Sequence, residues 1–187
     1  MGESSPLLTI VTRTFRRPRL LERCKASVQT LTSDDYEQVI IRDEKGVGYH
    51  GTCRLIFNAK SAGLLHGKYI WLLDDDDVLI DPNFVDNIRR LVKEKDNPPV
   101  IIVRMDAKGR VMPPDSLWKK APVRGQIGGS CYVVRADTWE AYWRYLLTSR
   151  HAGDFKMVQA MYEAGIRFEW LDRVVMRVDR TGNEQPE

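Results

Sequence analysis

Apolar stretches alternate with amphipathic stretches along almost the whole chain. Continuous apolar, β-branched runs predict buried strands, and apolar residues at helical spacing predict the helices between them. The predicted strands lie at residues 7–12, 38–43, 68–73, 99–105, 128–135 (after a loop) and 167–178 (one strand or two). The predicted helices lie at residues 18–31, 52–67, 81–92, 136–147 and 153–165. Asp81 and Asp154 are the predicted N-caps of two of these helices.

Strands that alternate with helices are typical of an α/β fold, with a mostly parallel central sheet and helices on both faces. A length of 187 residues fits one Rossmann-like domain with a sizeable core. We therefore predict a single domain over residues 1–187, with flexible ends at residues 1–6 and 180–187.

Composition restricts the classes of protein further. An apolar fraction of 43% and a charged fraction of 29% indicate a folded chain. No apolar run is long enough to span a bilayer and the first residues do not form a signal peptide, so we predict a cytoplasmic protein without a membrane segment. Cys24, Cys53 and Cys131 are scattered and are expected to be buried and reduced. The net charge of +3 is too small to indicate a polyanionic partner.

Three polar segments follow the first three predicted strands. They read "TRTF", "RDEKG" and "DDDD". In open parallel sheets, ligands bind at the carboxyl ends of the strands, where the strand order reverses. We therefore expect these three segments to converge on one crevice.

The four consecutive aspartates at residues 74–77 would repel one another at the end of a buried strand. One residue separates Asp74 from Asp76, and this spacing lets two carboxylates bind one hard cation, with diphosphate oxygens completing its shell. The alternative is an acidic turn that caps the next helix, but Asp81 already fits that position. We therefore predict a divalent metal site, for Mn²⁺ or Mg²⁺, at Asp74 and Asp76.

Four segments of the chain, in order, resemble one family. They are "LTIVTRTFRRPRLLERCKASVQTL", "QVIIRDEKG", "GKYIWLLDDDDVLIDPNFVDNI", and "GGSCYVVRADTWEAY" followed by "GDFKMVQAMYEAG". Together they are similar to the family 2 glycosyltransferases of the GT-A fold, from about residue 7 to residue 178. The third segment is the most specific, because it closely matches the metal-binding segment of that family. The resemblance implies transfer of a sugar from a nucleotide-diphosphate sugar.

The resemblance also implies a nucleotide-binding role for several positions. The first loop would line the base with three residues, a carboxylate would accept a hydrogen bond from the base (usually uracil), and the helix after it would supply a cation. The implied nucleotide-binding residues are Thr12, Arg13, Phe15, Asp43, Arg54, Asp74 and Asp75. The alternatives are core packing for Phe15 and a solvated loop position for Arg13.

The same resemblance assigns the reacting groups. Asp74 would face the ribose and metal-bound water, Asp76 would bind the metal, and Asp154 would be the catalytic base. N-cap chemistry alone could also explain Asp154. Two positions depart from the family pattern, since Arg16 replaces the usual Asn of the first loop and Asp179 stands where a His near the metal is common.

These residues predict an inverting, metal-dependent glycosyltransferase that uses a nucleotide-diphosphate sugar, with UDP preferred. A metal stabilises the leaving diphosphate, and a carboxylate on the opposite face deprotonates the acceptor hydroxyl. The acceptor is predicted to be a saccharide or a hydroxylated base in DNA. The alternatives are a non-catalytic homologue that binds a nucleotide sugar and metal, and a nucleic-acid-binding module.

Overall fold

Eight strands and five α-helices account for the hydrophobic pattern in residues 5–149 and 152–178, the parts of the chain that the computed structural model describes. The strands are β1 (Leu8–Thr14), β2 (Tyr36–Arg42), β3 (Tyr69–Leu72), β4 (Asp77–Leu79), β5 (Val100–Ala107), β6 (Arg110–Met112), β7 (Tyr132–Arg135) and β8 (Phe168–Val178). The helices are α1 (Pro18–Val28), α2 (Gly48–Ser61), α3 (Phe84–Glu94), α4 (Ala136–Tyr142) and α5 (Gly153–Glu163). Short 3-10 helices lie at Asp115–Leu117, Gly129–Cys131 and Trp143–Leu147.

Of the ends that we expect to be flexible, residues 1–4 and 180–187 lie outside the described ranges. Asp179 lies outside them too. None of the helices that the structure describes is both long enough and apolar enough to cross a membrane. Cys24, Cys53 and Cys131 are buried and free, as expected.

The strands form one mixed sheet with the order β2-β1-β3-β7-β5-β8-β4, and β6 pairs with β5. β1 is parallel to β2 and β3, and β5 is parallel to β8. Since β7 is antiparallel to both β3 and β5, the strands β5 and β8 point the same way as β1. Only β4, β6 and β7 are reversed among the described strands. The predicted α/β class with a mostly parallel sheet and packed helices is confirmed.

The parallel register of β1 with its two neighbours determines where the polar segments lie. Thr14 at the end of β1 lies opposite Arg42 at the end of β2, and Val11 lies opposite Leu72 at the end of β3. Because the three strands end at the same edge of the sheet, the segments that follow them start close together.

Aromatic packing around β3 holds this edge of the sheet rigid. Trp71 is fully buried, and its ring meets the ring of Phe84 on α3 edge to face, with 4.7 Å between the centroids. The Trp71 indole nitrogen donates a hydrogen bond of 2.9 Å to the carbonyl oxygen of Ser130. Buried aromatic pairs of this kind contribute about 1 kcal/mol beyond the area that they bury. β3 is therefore fixed to α3 and to the turn before β7.

Helix α2 is misplaced in the sequence prediction. It begins at Gly48 and ends at Ser61, whereas the pattern predicts residues 52–67. The glycine-rich start was wrongly predicted as a loop, because the carboxylate of Asp43 accepts hydrogen bonds from the backbone N–H groups of Val47 and Gly48 and holds the first turn. Gly67 does not end the helix, but lies so close to β1 that a Cβ atom there would be 2.3 Å from the backbone nitrogen of Thr9.

The two predicted N-caps are also wrong. Helix α3 begins at Phe84, and Asp81 instead accepts a hydrogen bond of 3.0 Å from the backbone N–H of Asn83 in the preceding turn. Helix α5 begins at Gly153 after Ala152, so Asp154 lies in its first turn and makes no cap hydrogen bond. The side chain of Asp154 is therefore available for another partner.

Candidate active site

A cavity of about 440 Å³ opens where the polar segments after β1, β2 and β3 meet. All three segments contribute to it. The residues that line the cavity are Arg13, Thr14, Phe15, Arg17, Asp43, Gly46, Gly48, Tyr49, Thr52, Asp74 and Asp76.

Three of the residues proposed from the sequence to bind a nucleotide do not line this cavity. Thr12 is fully buried, and its hydroxyl accepts a hydrogen bond of 2.9 Å from the side-chain amide of Gln38. Arg54 is exposed on α2. Asp75 is fully buried beside the cavity. Arg13, Phe15, Asp43, Asp74 and Asp76, by contrast, do line it.

Phe15 and Gly46 form one side of the cavity. A Cβ atom at Gly46 would lie 3.0 Å from the tip of the Phe15 ring, so the glycine lets the ring pack directly against backbone. Gly46 also has a φ of +69°, a conformation that other residues adopt at a cost. The partly exposed Phe15 ring therefore offers an apolar surface at the cavity, suited to stacking on a planar group.

Asp43 organises the loop between β2 and α2. Its carboxylate oxygens accept hydrogen bonds from the backbone N–H groups of Lys45, Val47 and Gly48 at 3.1, 3.0 and 3.3 Å. This side chain is buried. Asp43 thus holds the loop that brings Gly46 and the first turn of α2 to the cavity, in addition to any contact that it makes with a ligand.

Arg13 on β1 and Arg17 just before α1 form ion pairs with aspartates of the acidic run, residues 74–77. The guanidinium of Arg13 donates two hydrogen bonds to the carboxylate of Asp74, at 2.6 and 2.5 Å. Arg17 donates to Asp75 at 3.1 Å and to Asp76 at 3.2 Å. Charge-assisted pairs of this kind are stronger than neutral hydrogen bonds. They explain how the end of a buried strand can carry the three charged aspartates Asp74, Asp75 and Asp76.

Burial changes the protonation of the acidic run. Burial, together with the negative charges of Asp74 and Asp76, raises the pKa of Asp77 to about 9. Burial also raises the pKa of Asp75 to about 6, although hydrogen bonding to Thr14 and the charge of Arg17 oppose the shift. Asp77 is therefore mostly protonated at neutral pH when no cation is bound, which removes one of the four negative charges.

Three carboxylates are close enough to hold one metal ion. One oxygen each from Asp74, Asp76 and Asp77 lies within 4.8 Å of the other two. Carboxylate oxygens are the ligands that Mg²⁺ and Mn²⁺ prefer, so the donor set fits the predicted metal. The sequence prediction included Asp74 and Asp76 but not Asp77, which the run of four aspartates could have suggested.

Asp154 lies next to the cavity, behind the side chain of Tyr49. The Tyr49 hydroxyl donates a hydrogen bond of 2.8 Å to the Asp154 carboxylate, and the Tyr132 hydroxyl donates one of 3.2 Å to the Asp154 backbone oxygen. Desolvation raises the pKa of Asp154, while the charge of Arg13 and the hydrogen bond from Tyr49 lower it. The side chain remains partly exposed. A raised pKa and a fixed orientation are features of a carboxylate that can accept a proton from a hydroxyl group.

Tyr49 is a site residue that the sequence did not reveal. It lies in "GVGYHG", which resembles a loop, but the structure places it in the first turn of α2. The guanidinium of Arg13 lies over its ring, with 5.4 Å from the guanidinium carbon to the ring centroid. Tyr49 and Arg13 together therefore connect Asp154 to Asp74 along one side of the cavity.

Comparisons with known proteins identify the fold. No family model matches the sequence. No curated protein matches it either. Several solved structures of S. aureus TarS are similar to the chain, at 10–13% sequence identity.

Three of these structures are of TarS 1-349. One superposes with a TM-score of 0.62 at 13% identity, covering 91% of this chain and 60% of TarS 1-349. The complex with UDP-GlcNAc has a TM-score of 0.64 at 11% identity, covering 95% of this chain and 59% of the other. The complex with UDP has a TM-score of 0.61 at 11% identity, covering 91% and 59%. The chain thus spans about three fifths of the length of these structures.

The protein therefore has a GT-A-like glycosyltransferase fold. Identities this low show the fold alone, so membership of family 2 stays a prediction. A fold does not determine activity or ligands, which depend on the residues of the cavity.

Replacing Arg17 with methionine should destabilise the protein. The substitution Arg17→Met leaves the fully buried carboxylate of Asp75 without its cation. Removing one partner of a buried ion pair typically costs about 3 kcal/mol or more, because an uncompensated charge stays buried. We expect a loss of this size in the free energy of unfolding, measured by urea denaturation at pH 7.5 with a chelator present.

The double variant Arg17→Met/Asp75→Asn is the control, and it should recover most of this loss because it buries no charge. The loss should also shrink as the pH falls towards 6, because removing Arg17 raises the pKa of Asp75 above its value of about 6 in the wild type and the buried carboxyl then takes up a proton. If neither the double variant nor lower pH reduces the loss, the ion pair is not its cause.

Proposed function

We propose that this protein is an inverting, metal-dependent glycosyltransferase that transfers a sugar from a UDP-sugar to an acceptor hydroxyl. The observation that carries the proposal is the separation of two carboxylate groups. Asp74 and Asp76 line the cavity beside Arg13, whereas Asp154 lies next to the cavity, hydrogen-bonded to the lining residue Tyr49. Glycosyl transfer with inversion needs such a separation, since the leaving group and the acceptor lie on opposite faces of the sugar.

A nucleotide-diphosphate fits the lining of the cavity. The Phe15 ring and the backbone at Gly46 offer a surface for a base, and Asp43 offers carboxylate oxygens beside it. The GT-A-like fold supports a nucleotide-sugar donor, and the similar TarS structures include complexes with UDP and UDP-GlcNAc. UDP is therefore the first nucleotide to test.

Asp74, Asp76 and Asp77 would hold the metal ion. When bound, Mn²⁺ or Mg²⁺ stabilises the negative charge that develops on a leaving diphosphate. Asp76 and Asp77 are buried, which excludes water from that side of the site and strengthens electrostatic interactions there.

Asp154 would act as the general base. Its carboxylate accepts the proton of the acceptor hydroxyl, while Tyr49 fixes the orientation of the carboxylate through its hydrogen bond. Because desolvation raises the pKa of Asp154, the carboxylate is a better proton acceptor than a fully solvated aspartate. The acceptor remains proposed as a saccharide or a hydroxylated base in DNA.

The structure makes the nucleic-acid-binding alternative weaker. Its basic segment, "RTFRRPRLLER", would have to present cations to a phosphate backbone. Arg13 and Arg17, however, form ion pairs with the acidic run. Arg23 donates a hydrogen bond of 3.0 Å to the backbone oxygen of Asp76. The non-catalytic homologue differs from the enzyme only in turnover, which the next experiments measure.

UDP together with Mn²⁺ should raise the melting temperature of the wild-type protein. A ligand that binds only the folded state stabilises it by mass action, by about 2.7 kcal/mol at a hundred times its Kd. In Asp76→Ala the metal-dependent part of the shift should disappear. The exposed Asp34→Ala is the matched control and should respond like the wild type. Absence of any shift with UDP or GDP, with either metal, would remove the nucleotide-sugar proposal.

The variant Asp154→Asn should bind UDP normally but turn over at least about a hundred-fold more slowly, because an amide cannot accept the proton. Asn keeps an oxygen for the Tyr49 hydroxyl, and the side chain makes no cap hydrogen bond in the wild type, so the melting temperature should change little. UDP affinity and the rate of donor hydrolysis or transfer are the two measurements.

The exposed Asp137→Asn, also in the first turn of a helix, is the control. Transfer by Asp154→Asn at the wild-type rate would show that Asp154 is not the base. A wild-type protein that binds UDP-sugars without any turnover would instead be the non-catalytic homologue.

The variant Tyr49→Phe should move the acid limb of the pH–rate profile to higher pH. The Tyr49 hydroxyl stabilises the ionised form of Asp154, so its loss raises the pKa of the base further. The base works only when it is ionised. As the pH is lowered, the variant should therefore lose activity at a higher pH than the wild type does. Donor hydrolysis measured from pH 5 to 9 tests this, with the exposed Tyr162→Phe as control. If activity falls but the acid limb is unchanged, Tyr49 does not act on the ionisation of Asp154 and its role is packing.

A further inference from the structure

Arg13 occupies one of the carboxylates that would hold the metal. Its guanidinium makes two hydrogen bonds to the two oxygens of Asp74, and its side chain is only 15% exposed. Both residues line the cavity. A divalent cation bound at Asp74 in this arrangement would lie beside a fixed positive charge, and the two cations would repel each other.

Arg17 cannot leave its carboxylate partners as easily as Arg13 can. It donates hydrogen bonds to both Asp75 and Asp76, and Asp75 is fully buried, so moving Arg17 away would leave a buried charge without its cation. The side-chain hydrogen bonds of Arg13 among the described residues all go to Asp74, whose side chain is 33% exposed. Asp74 can therefore lose Arg13 and be solvated or bind another cation at a smaller cost.

The same guanidinium is well placed for a diphosphate. It lies in the cavity lining between the acidic run and Tyr49, and the Tyr49 ring supports its flat face. The planar fork of an arginine matches two oxygens of a phosphate as well as it matches those of a carboxylate. A diphosphate that enters the cavity thus offers Arg13 an alternative partner of higher charge.

We propose that Arg13 couples metal binding to nucleotide binding, by pairing with Asp74 in the empty cavity and with the diphosphate when the donor is bound. The inference rests on the proposed function and adds a role to it. In the nucleotide-free protein, Arg13 competes with the metal for Asp74 and keeps the metal affinity low. The diphosphate draws the guanidinium away, frees Asp74 and adds negative charge, so each ligand strengthens the binding of the other.

The test measures Mn²⁺ affinity by electron paramagnetic resonance or calorimetry, with and without UDP, and therefore needs no acceptor. The variants are Arg13→Met and Arg13→Gln, which remove the charge, and Arg13→Lys, which keeps the charge without the fork. The exposed Arg90→Met is the matched control. Circular dichroism and thermal unfolding show which variants fold.

We expect Mn²⁺ alone to bind about tenfold more tightly to Arg13→Met or Arg13→Gln than to the wild type, within the usual range of coupling between sites. UDP without metal should bind about tenfold more weakly to the same variants. The factor by which UDP tightens Mn²⁺ binding should fall accordingly. Arg13→Lys should keep the weak metal binding of the wild type, because the positive charge remains, and Arg90→Met should behave as the wild type.

The result that overturns the inference is an unchanged Mn²⁺ affinity in the nucleotide-free Arg13→Gln and Arg13→Met proteins. If the wild type binds UDP and Mn²⁺ but these variants keep the same coupling, the proposed function stands and the role of Arg13 falls. If the wild type binds neither UDP nor Mn²⁺, both the proposed function and this inference are wrong.

Discussion

The pairing of Arg13 at the end of β1 and Arg17 before α1 with the acidic run after β3 is the interaction on which the rest of the site depends. Without Arg13 and Arg17, the carboxylates at residues 74–76 would face one another at the end of a buried strand without the two guanidinium groups that offset their repulsion. The parallel register of β1 and β3 makes the pairing possible, because it brings both segments to the same edge of the sheet. The fold and the charge balance of the cavity therefore depend on the same few contacts.

A second set of contacts connects the acidic run to the carboxylate of Asp154. Arg13 lies over the ring of Tyr49, and Tyr49 donates a hydrogen bond to Asp154. Tyr49 reaches this position because Asp43 holds the start of α2 through backbone N–H groups. A change at Asp43 would thus act on Asp154 through the helix, with no direct contact between the two residues. Positioning of this indirect kind is common where reacting groups are carried on rigid elements.

The sequence predicted the α/β class, the positions of the main strands along the chain, and the meeting of three polar segments, since local hydrophobic period and strand ends determine these features. It could not predict the partners of the charged side chains. Arg13 and Asp74 are 61 positions apart, and Tyr49 and Asp154 are 105 apart. Nor could it predict that Thr12 is fully buried and that its hydroxyl accepts a hydrogen bond from Gln38 instead of lining the cavity.

The two carboxylate groups of the site have different environments, and the difference suits different tasks. Asp74 and Asp76 form ion pairs with the guanidinium groups of Arg13 and Arg17. Asp154 accepts a hydrogen bond from the phenol of Tyr49, which orients the carboxylate, and desolvation raises its pKa although the charge of Arg13 opposes the shift, as would suit the proposed general base. If Arg13 binds the diphosphate and Tyr49 holds the base, the transferred sugar must lie along these two side chains, between the leaving oxygen and the acceptor. The side of the cavity formed by Arg13 and Tyr49 would then position the donor as well as separate the two groups.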